Sequence, residues 1–300
     1  MKTFRSPAFV LLAGILWGSM GLFVRRLNAA GLYAIDIVQI RYLLAAVFVG
    51  LYLLAFHREK FKIRLRDLWC FLGTGLCSVL FFSWCYFAGM NETSLAVMSV
   101  LLYTAPIFVM LMSCLLFYER LTATKLLALA LSVGGCALVS GVGDVQLGLK
   151  GLLLGLGAGF GYALYSIFSR FAIDRGYDSW TITFYSFLIC AVGCAFLSDW
   201  HAIAGTLLPA PELLGWSAAM ALMTGFLAYI FYTKGLEGMP SSRASILASI
   251  EPVTATLLGT FVFHEPLGWS GIAGIALVVA AIDAAVQRCV PKDVLLETVI

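Results

Sequence analysis

Long uncharged runs alternate with short charged segments along the whole chain. No charged residue occurs from Leu68 to Asn91, and none from Thr93 to Tyr118. Similar runs cover Gly151–Ser169, Ser179–Ser198 and Leu213–Thr233, and interrupted ones cover Ala8–Val24, Ile35–Phe56, Leu126–Gly143, Ala244–His264 and Leu267–Val286. A helix needs about 20 apolar residues to cross a bilayer core. The pattern therefore predicts ten transmembrane helices. Barrel strands would be about 10 residues long with alternating polarity, and these runs do not alternate. The first run is longer than a signal peptide and lacks a small-residue cleavage site, so it reads as a retained first helix.

Composition points the same way. Charged residues are 12% and hydrophobic residues 62% of the 300-residue chain, where a soluble domain carries about 25% charged residues. Too few polar groups exist to cover a globular surface, so the lipid bilayer is the expected partner. The connecting segments are short, and no soluble domain is inserted. Eight cysteines are scattered with no C-x-x-C pair. Cys190 and Cys194 share a helix face and read as packing residues. No metal site, cofactor or nucleic-acid partner is expected.

Basic residues orient the helices. With the N-terminus inside, fifteen Lys and Arg fall on the inner side and Arg25, Arg26 and Lys150 on the outer. Arg41 lies within the second run. Such a bias places both termini in the cytoplasm.

The chain repeats itself. At an offset of 146 residues, Tyr86 meets Tyr232, Gly89 meets Gly235, Ser99 meets Ser245, Pro106 meets Pro252 and Glu119 meets Glu265. At an offset of 145, Gly14 meets Gly159 and Trp17 meets Tyr162. Each half holds five helices, an odd number, so the second half enters the membrane from the opposite side. Inverted repeats are the build of secondary transporters. The expected fold is an all-α membrane protein of ten transmembrane helices in two inverted five-helix repeats. It forms a single transmembrane domain over 1–300, with repeat one at about 8–146, repeat two at about 147–287 and a cytoplasmic tail at 288–300.

The same residues resemble the EamA-type transporters of the drug/metabolite transporter superfamily. The resemblance rests on Trp17-Gly18, Arg41-Tyr42, Tyr103-Thr104-Ala105-Pro106 followed by Phe117-Tyr118-Glu119-Arg120-Leu121, and Ile250-Glu251-Pro252-Val253 followed by Phe263-His264-Glu265-Pro266-Leu267. His264 departs from Tyr118 of the first half. The resemblance implies a central cavity between the repeats. It also implies export or exchange, without ATP, of a small organic metabolite such as an amino acid or amine. The chain has no G-x-x-x-x-G-K-[ST] phosphate loop, which agrees. A nucleotide-sugar carrier of the same superfamily would show a basic cavity, and only Arg41 is available. A membrane-embedded enzyme would need clustered ligands, whereas His57, His201 and His264 are far apart in sequence. A non-transporting subunit would have no need of an inverted repeat.

The candidate chemistry centres on Glu251. It lies about 10 Å from the inner end of its helix, at the usual helical rise. An ionised carboxylate there costs about 2.5–3.5 kcal/mol. Pro252 removes a backbone donor and frees a carbonyl near Ala248, with Ser245 and Ser249 close enough to help. Glu251 thus reads as a substrate-amine or proton site, against the plainer reading of a structural partner beside a kink. Pro106 duplicates the helix break without the charge. Trp17 and Tyr162 are expected to line the cavity from repeat-related helices. Tyr86, Tyr103, Tyr165 and Tyr229 are further aromatic candidates, with Trp84 also deep and helix packing the plainer reading for all. Arg41 reads as a snorkelling side chain rather than an anion clamp. Glu119 and Glu265 read as helix ends bonding nearby backbone, and Asp36, Asp144, Asp174, Asp178 and Asp199 as solvated caps. Glycine rows in the first helix (Gly14, Gly18, Gly21) and the sixth (Gly151, Gly155, Gly159) are expected at close helix contacts.

Overall fold

The computed structural model describes residues 2–141 and 148–286. Asp144 and the 288–300 tail lie outside the described residues. Nine described helices are long and apolar enough to cross a membrane: α1 (Arg5–Ala29), α2 (Ala34–Phe56), α3 (Leu65–Met90), α4 (Ala96–Phe117), α5 (Ala123–Ser140), α6 (Leu149–Asp174), α8 (Pro211–Glu237), α9 (Ser241–Phe263) and α10 (Trp269–Val286). Between α6 and α8, α7 (Ser179–Ala195) runs into a short helix, Trp200–Leu207, at a bend of 106°. Counting that bent pair as one span brings the total to ten.

Helix starts follow side-chain chemistry. Ser94, Thr122 and Asp178 accept from the backbone N–H groups of Val97, Lys125 and Thr181. Asp199 accepts from His201 and Ala202 and so starts the short helix. These side chains satisfy donors that a helix leaves unpaired at its N-terminus. Asp36 behaves differently from a solvated cap. It is buried at 1% exposure and takes the Asp199 N–H at 2.9 Å, which ties α2 to the bend after α7.

Both halves carry the same irregularities at matched positions. Residues Gly73–Leu80 of α3 and Ala221–Leu227 of α8 are wound as π-helix. α4 is broken into α4a (Leu95–Leu102) and α4b (Ala105–Phe117), and α9 into α9a (Ser241–Ala248) and α9b (Ile250–Phe263). Tyr118 after α4b and His264 after α9b both adopt left-handed backbone, at φ 53° and 56°. That conformation costs a non-glycine residue about 1–2 kcal/mol. Its duplication marks it as part of the repeat.

Packing obeys the same exchange. α1 lies on α8, and its mate α6 lies on α3; α2 pairs with its own mate α7, and α5 with α10. Lipid supplies no hydrophobic force between apolar helices, so close approach of backbones has to do the work. At α5 and α10, a Cβ built on Gly135 would lie 2.8 Å from the Gly274 carbonyl oxygen, and one on Gly274 2.6 Å from that of Gly135. The glycine rows of α1 and α6 serve the broken helices, as described below. Gly21 is an exception to its row, with nothing within 4 Å of an added Cβ. Trp84, expected deep, is 53% exposed on the outside of α3.

Candidate functional site

The break in α9 results from a missing donor. Pro252 has no N–H to offer the Ala248 carbonyl, and the Ser249 N–H turns back to Ile246 at 3.1 Å. Glycines of α1 cover the break. A Cβ on Gly14 would lie 3.1 Å from the Ala248 oxygen, and one on Gly18 would lie 2.5 Å from the Glu251 oxygen. In the other half α6 covers the break in α4, where a Cβ on Gly159 would lie 2.8 Å from the Leu101 oxygen.

Glu251 sits one residue into α9b, half-buried. The Tyr162 phenol of α6 donates to its Oε2 at 3.1 Å. Ser249, beside it, pairs hydroxyl to hydroxyl with Ser132 of α5 at 2.6 Å. Two narrow clefts meet at Tyr162, Ser166 and Tyr232. The first runs past Glu251, Ser245, Ser249, Tyr103 and Pro106. The second runs past Trp17, Tyr165 and Tyr229. Each has a free volume of about 10 Å³, room for about one water.

Aromatic rings form the walls. Trp17 contacts Tyr162, Tyr229 and Tyr232 at centroid distances of 6.1, 5.1 and 5.2 Å. Each buried phenol around it has a hydroxyl partner: Tyr232 with Ser166 at 2.7 Å, Tyr165 with Thr233 at 3.0 Å, and Tyr229 with Tyr42 at 3.1 Å. The indole Nε1 of Trp17 is a buried donor with no partner among the described residues. A buried unpaired donor is costly, so a polar atom arriving in this cleft would relieve it.

Most of the residues singled out from sequence therefore converge on these clefts. Three do not. Tyr86 turns toward α4 and shares a hydrogen bond with Ser99 at 3.2 Å. Pro252 lies buried in the α9 wall and shapes the break without facing either cleft. Arg41 is not a snorkelling residue: it is 6% exposed, inside the bundle, and donates to the Thr224 carbonyl at 2.7 Å and the Met20 sulfur at 3.0 Å. Thr224 lies in the π-helical stretch of α8, where its carbonyl is placed to accept from an interior arginine. No described carboxylate forms an ion pair with it.

Sequence reasoning missed Tyr232, Ser166, Ser132 and Thr233 as site residues. Tyr232 was visible only as the repeat mate of Tyr86. A signal was present in Tyr229, Tyr232 and Thr233 together, polar atoms clustered within one turn of an otherwise apolar helix. Among the described residues, no group of three or more His, Cys, Asp or Glu could hold a metal ion.

Residues 6–141 and 149–284 each match the EamA-like transporter family. One relative, the uncharacterized transporter YwfM of Bacillus subtilis (strain 168), is 32% identical over 208 residues, 68% of this chain and 69% of its own. An uncharacterized transporter of Archaeoglobus fulgidus is 28% identical over 277 residues, 92% of this chain and 94% of its own. A solved crystal structure shares the fold at a TM-score of 0.79 and 15% identity, covering 95% of this chain and 97% of its own.

Proposed function

The chain belongs to the EamA-like transporter family, and we propose that it exports or exchanges an amine or amino acid by alternating access, with Glu251 receiving the substrate cation. Membrane transport of a small molecule is what the family does. The carrying observation for the finer reading is the setting of Glu251: one carboxylate at a helix break, held by a single phenol, and facing a cleft walled by Tyr103, Tyr162 and Tyr232 that meets the cleft of Trp17.

That setting suits an ammonium group. A carboxylate neutralises it directly, and ring faces attract cations in a desolvated site. The unpartnered Trp17 Nε1 offers a hydrogen bond to an acceptor on the same molecule. Proton and ammonium would compete for one carboxylate. Binding of either then excludes the other, which couples substrate movement one way to proton movement the other way. Neither cleft has a lysine or arginine in its wall, which weighs against a phosphate-bearing substrate. The bias of fifteen basic residues to three supports a cytoplasmic membrane location with both termini inside.

Transport into reconstituted vesicles, with a panel of amines and amino acids at several pH values, tests the reading. Wild type is expected to move a cationic or zwitterionic compound against a proton gradient. Glu251→Gln is expected to lose coupled transport while remaining folded in the membrane. Near-normal transport by the variant, with the wild-type pH profile, would leave Glu251 an architectural residue.

A further inference from the structure

The repeat mates Glu119 and Glu265 lie at opposite faces of the membrane, and the structure treats them differently. Glu119 follows α4b on the face where α1 begins. Its side chain is 12% exposed. It accepts from the Ser241 N–H at 3.0 Å and from the Ser242 hydroxyl, both at the start of α9a in the other half. Lys125 of its own half completes the set at 3.0 Å. The residue before α9a is Pro240, which supplies no side-chain cap. A carboxylate from one repeat thus caps a helix of the other. Alongside it α4b packs against α9a.

The opposite face lacks the matching contact. Glu265 is 48% exposed and pairs with Arg25 at the end of α1, at 2.6 Å. The start of α4a, where symmetry would put its cap, is served by its own Ser94. No comparable packing joins α4a to α9b. The helix-start cap between the halves is therefore made on one face and missing on the other, where the exposed Arg25–Glu265 pair stands in its place.

We propose that Glu119 is the latch that keeps the α1-start face shut, and that Glu265 makes the equivalent bond to the start of α4a when the opposite face closes. This rests on the alternating-access reading above. A carboxylate at a helix N-terminus gains from the helix dipole and from charge-assisted hydrogen bonds. Both gains vanish when the halves part. Lys125 belongs to the same half as Glu119 and stays with it on release, whereas Arg25 belongs to the half that carries the start of α4a and holds Glu265 near that half in this state. Among the described bonds Ser94 takes the Val97 N–H, and a helix start has further N–H groups that Glu265 could reach.

Ser245, buried at 7% exposure in the cleft wall toward the latched face, is the reporter. The full chain carrying Ser245→Cys, in vesicles, is treated from the α1-start face with a membrane-impermeant maleimide. Labelling is compared with that of the chain without the added cysteine. Adding Glu119→Gln is expected to raise labelling about tenfold, the order of one charge-assisted bond. Adding Ser242→Ala, a milder change that keeps the carboxylate, is expected to raise it a few-fold. Adding Glu265→Gln is expected to lower it, because the opposite state loses its latch. Unchanged labelling in both Glu119→Gln and Ser242→Ala would overturn the latch, and increased labelling in Glu265→Gln would overturn the reciprocity. The assay needs no substrate, so its failure is separable from a failure of the transport reading.

Discussion

Trp17 of α1 and Tyr162 of α6 are repeat mates, and their rings touch each other at 6.1 Å between centroids, inclined at 68°. Residues exchanged by a two-fold axis can touch only near that axis. The contact therefore marks the centre of the molecule, where both clefts meet. Glu251 is bonded to the same Tyr162. Its mate in the first half is Ala105, so the charge lies beside an axis that nearly everything else respects.

Removing the Tyr162 hydroxyl should isolate the carboxylate without disturbing the rings. Tyr162→Phe keeps the contact with Trp17 and deletes one bond to Glu251. Such a bond contributes about 1.5–3 kcal/mol when one partner is charged. The expected result is a loss of substrate affinity of about tenfold or more, with a shifted pH profile and unchanged membrane yield. Vesicle transport against substrate concentration and pH checks this.

Gly18 and Gly21 are both in α1 and should respond oppositely to one methyl group. At Gly18 the new Cβ would lie 2.5 Å from the Glu251 carbonyl oxygen, which belongs to backbone and cannot swing aside. Gly18→Ala should destabilise by about 1–3 kcal/mol, the range for overpacking. Gly21→Ala meets nothing within 4 Å and should be neutral or, through helix propensity, stabilising by up to about 1 kcal/mol. Thermal unfolding of the two variants in detergent compares them directly.

A pH dependence is expected at the face where α1 begins. Lys60 of the α2–α3 connection pairs with Asp178 at the start of α7. Burial opposes the charged form of Asp178, but the Lys60 ammonium and the Thr181 N–H outweigh it and hold the carboxyl below its usual range. The Asp178 bond correspondingly holds the Lys60 ammonium above its usual range, against some burial. A depressed carboxyl stabilises the fold above its unfolded value of about 3.9 and loses that contribution as pH falls through the folded value. Asp178→Asn should therefore cost up to about 1 kcal/mol at neutral pH, since the pair is partly solvated. The difference from wild type should shrink below about pH 4. Unfolding midpoints of both proteins across pH measure it.

Arg41 gives a test of a buried charge with no ion-pair partner among the described residues. Its guanidinium reaches two acceptors at once, Thr224 and Met20. A lysine ammonium in its place is more strongly hydrated and lacks the planar fork. Arg41→Lys should lose about 1–2 kcal/mol, roughly one such bond to a charged group. Arg41→Met removes the charge altogether and should be at least as stable as Arg41→Lys. Thermal unfolding of both variants decides the order.

Much of the architecture was legible before any coordinates. Uncharged runs of about 20 residues mark the spans because lipid excludes charge. The duplicated Pro106 and Pro252 mark both helix breaks because a proline cannot donate to the carbonyl one turn back. Trp17 and Tyr162 could be matched because the repeat register is carried by residues that apolar helices seldom share by chance. Glu251 stood out for its cost. Partners were another matter. Ser166 meets Tyr232 across 66 residues, Ser132 meets Ser249 across 117, and Glu119 reaches Ser241 across 122. In a soluble protein the apolar face of a helix announces which side is covered. Here every face is apolar and lipid is as good a solvent as another helix, so hydrophobicity does not say which face meets which. That choice was made by glycine contacts such as Gly18 on the Glu251 carbonyl and by hydrogen bonds that close only when distant helices meet. The burial of Arg41 and the capping of α9a by Glu119 are consequences of that packing, which is why only the tertiary structure decided them.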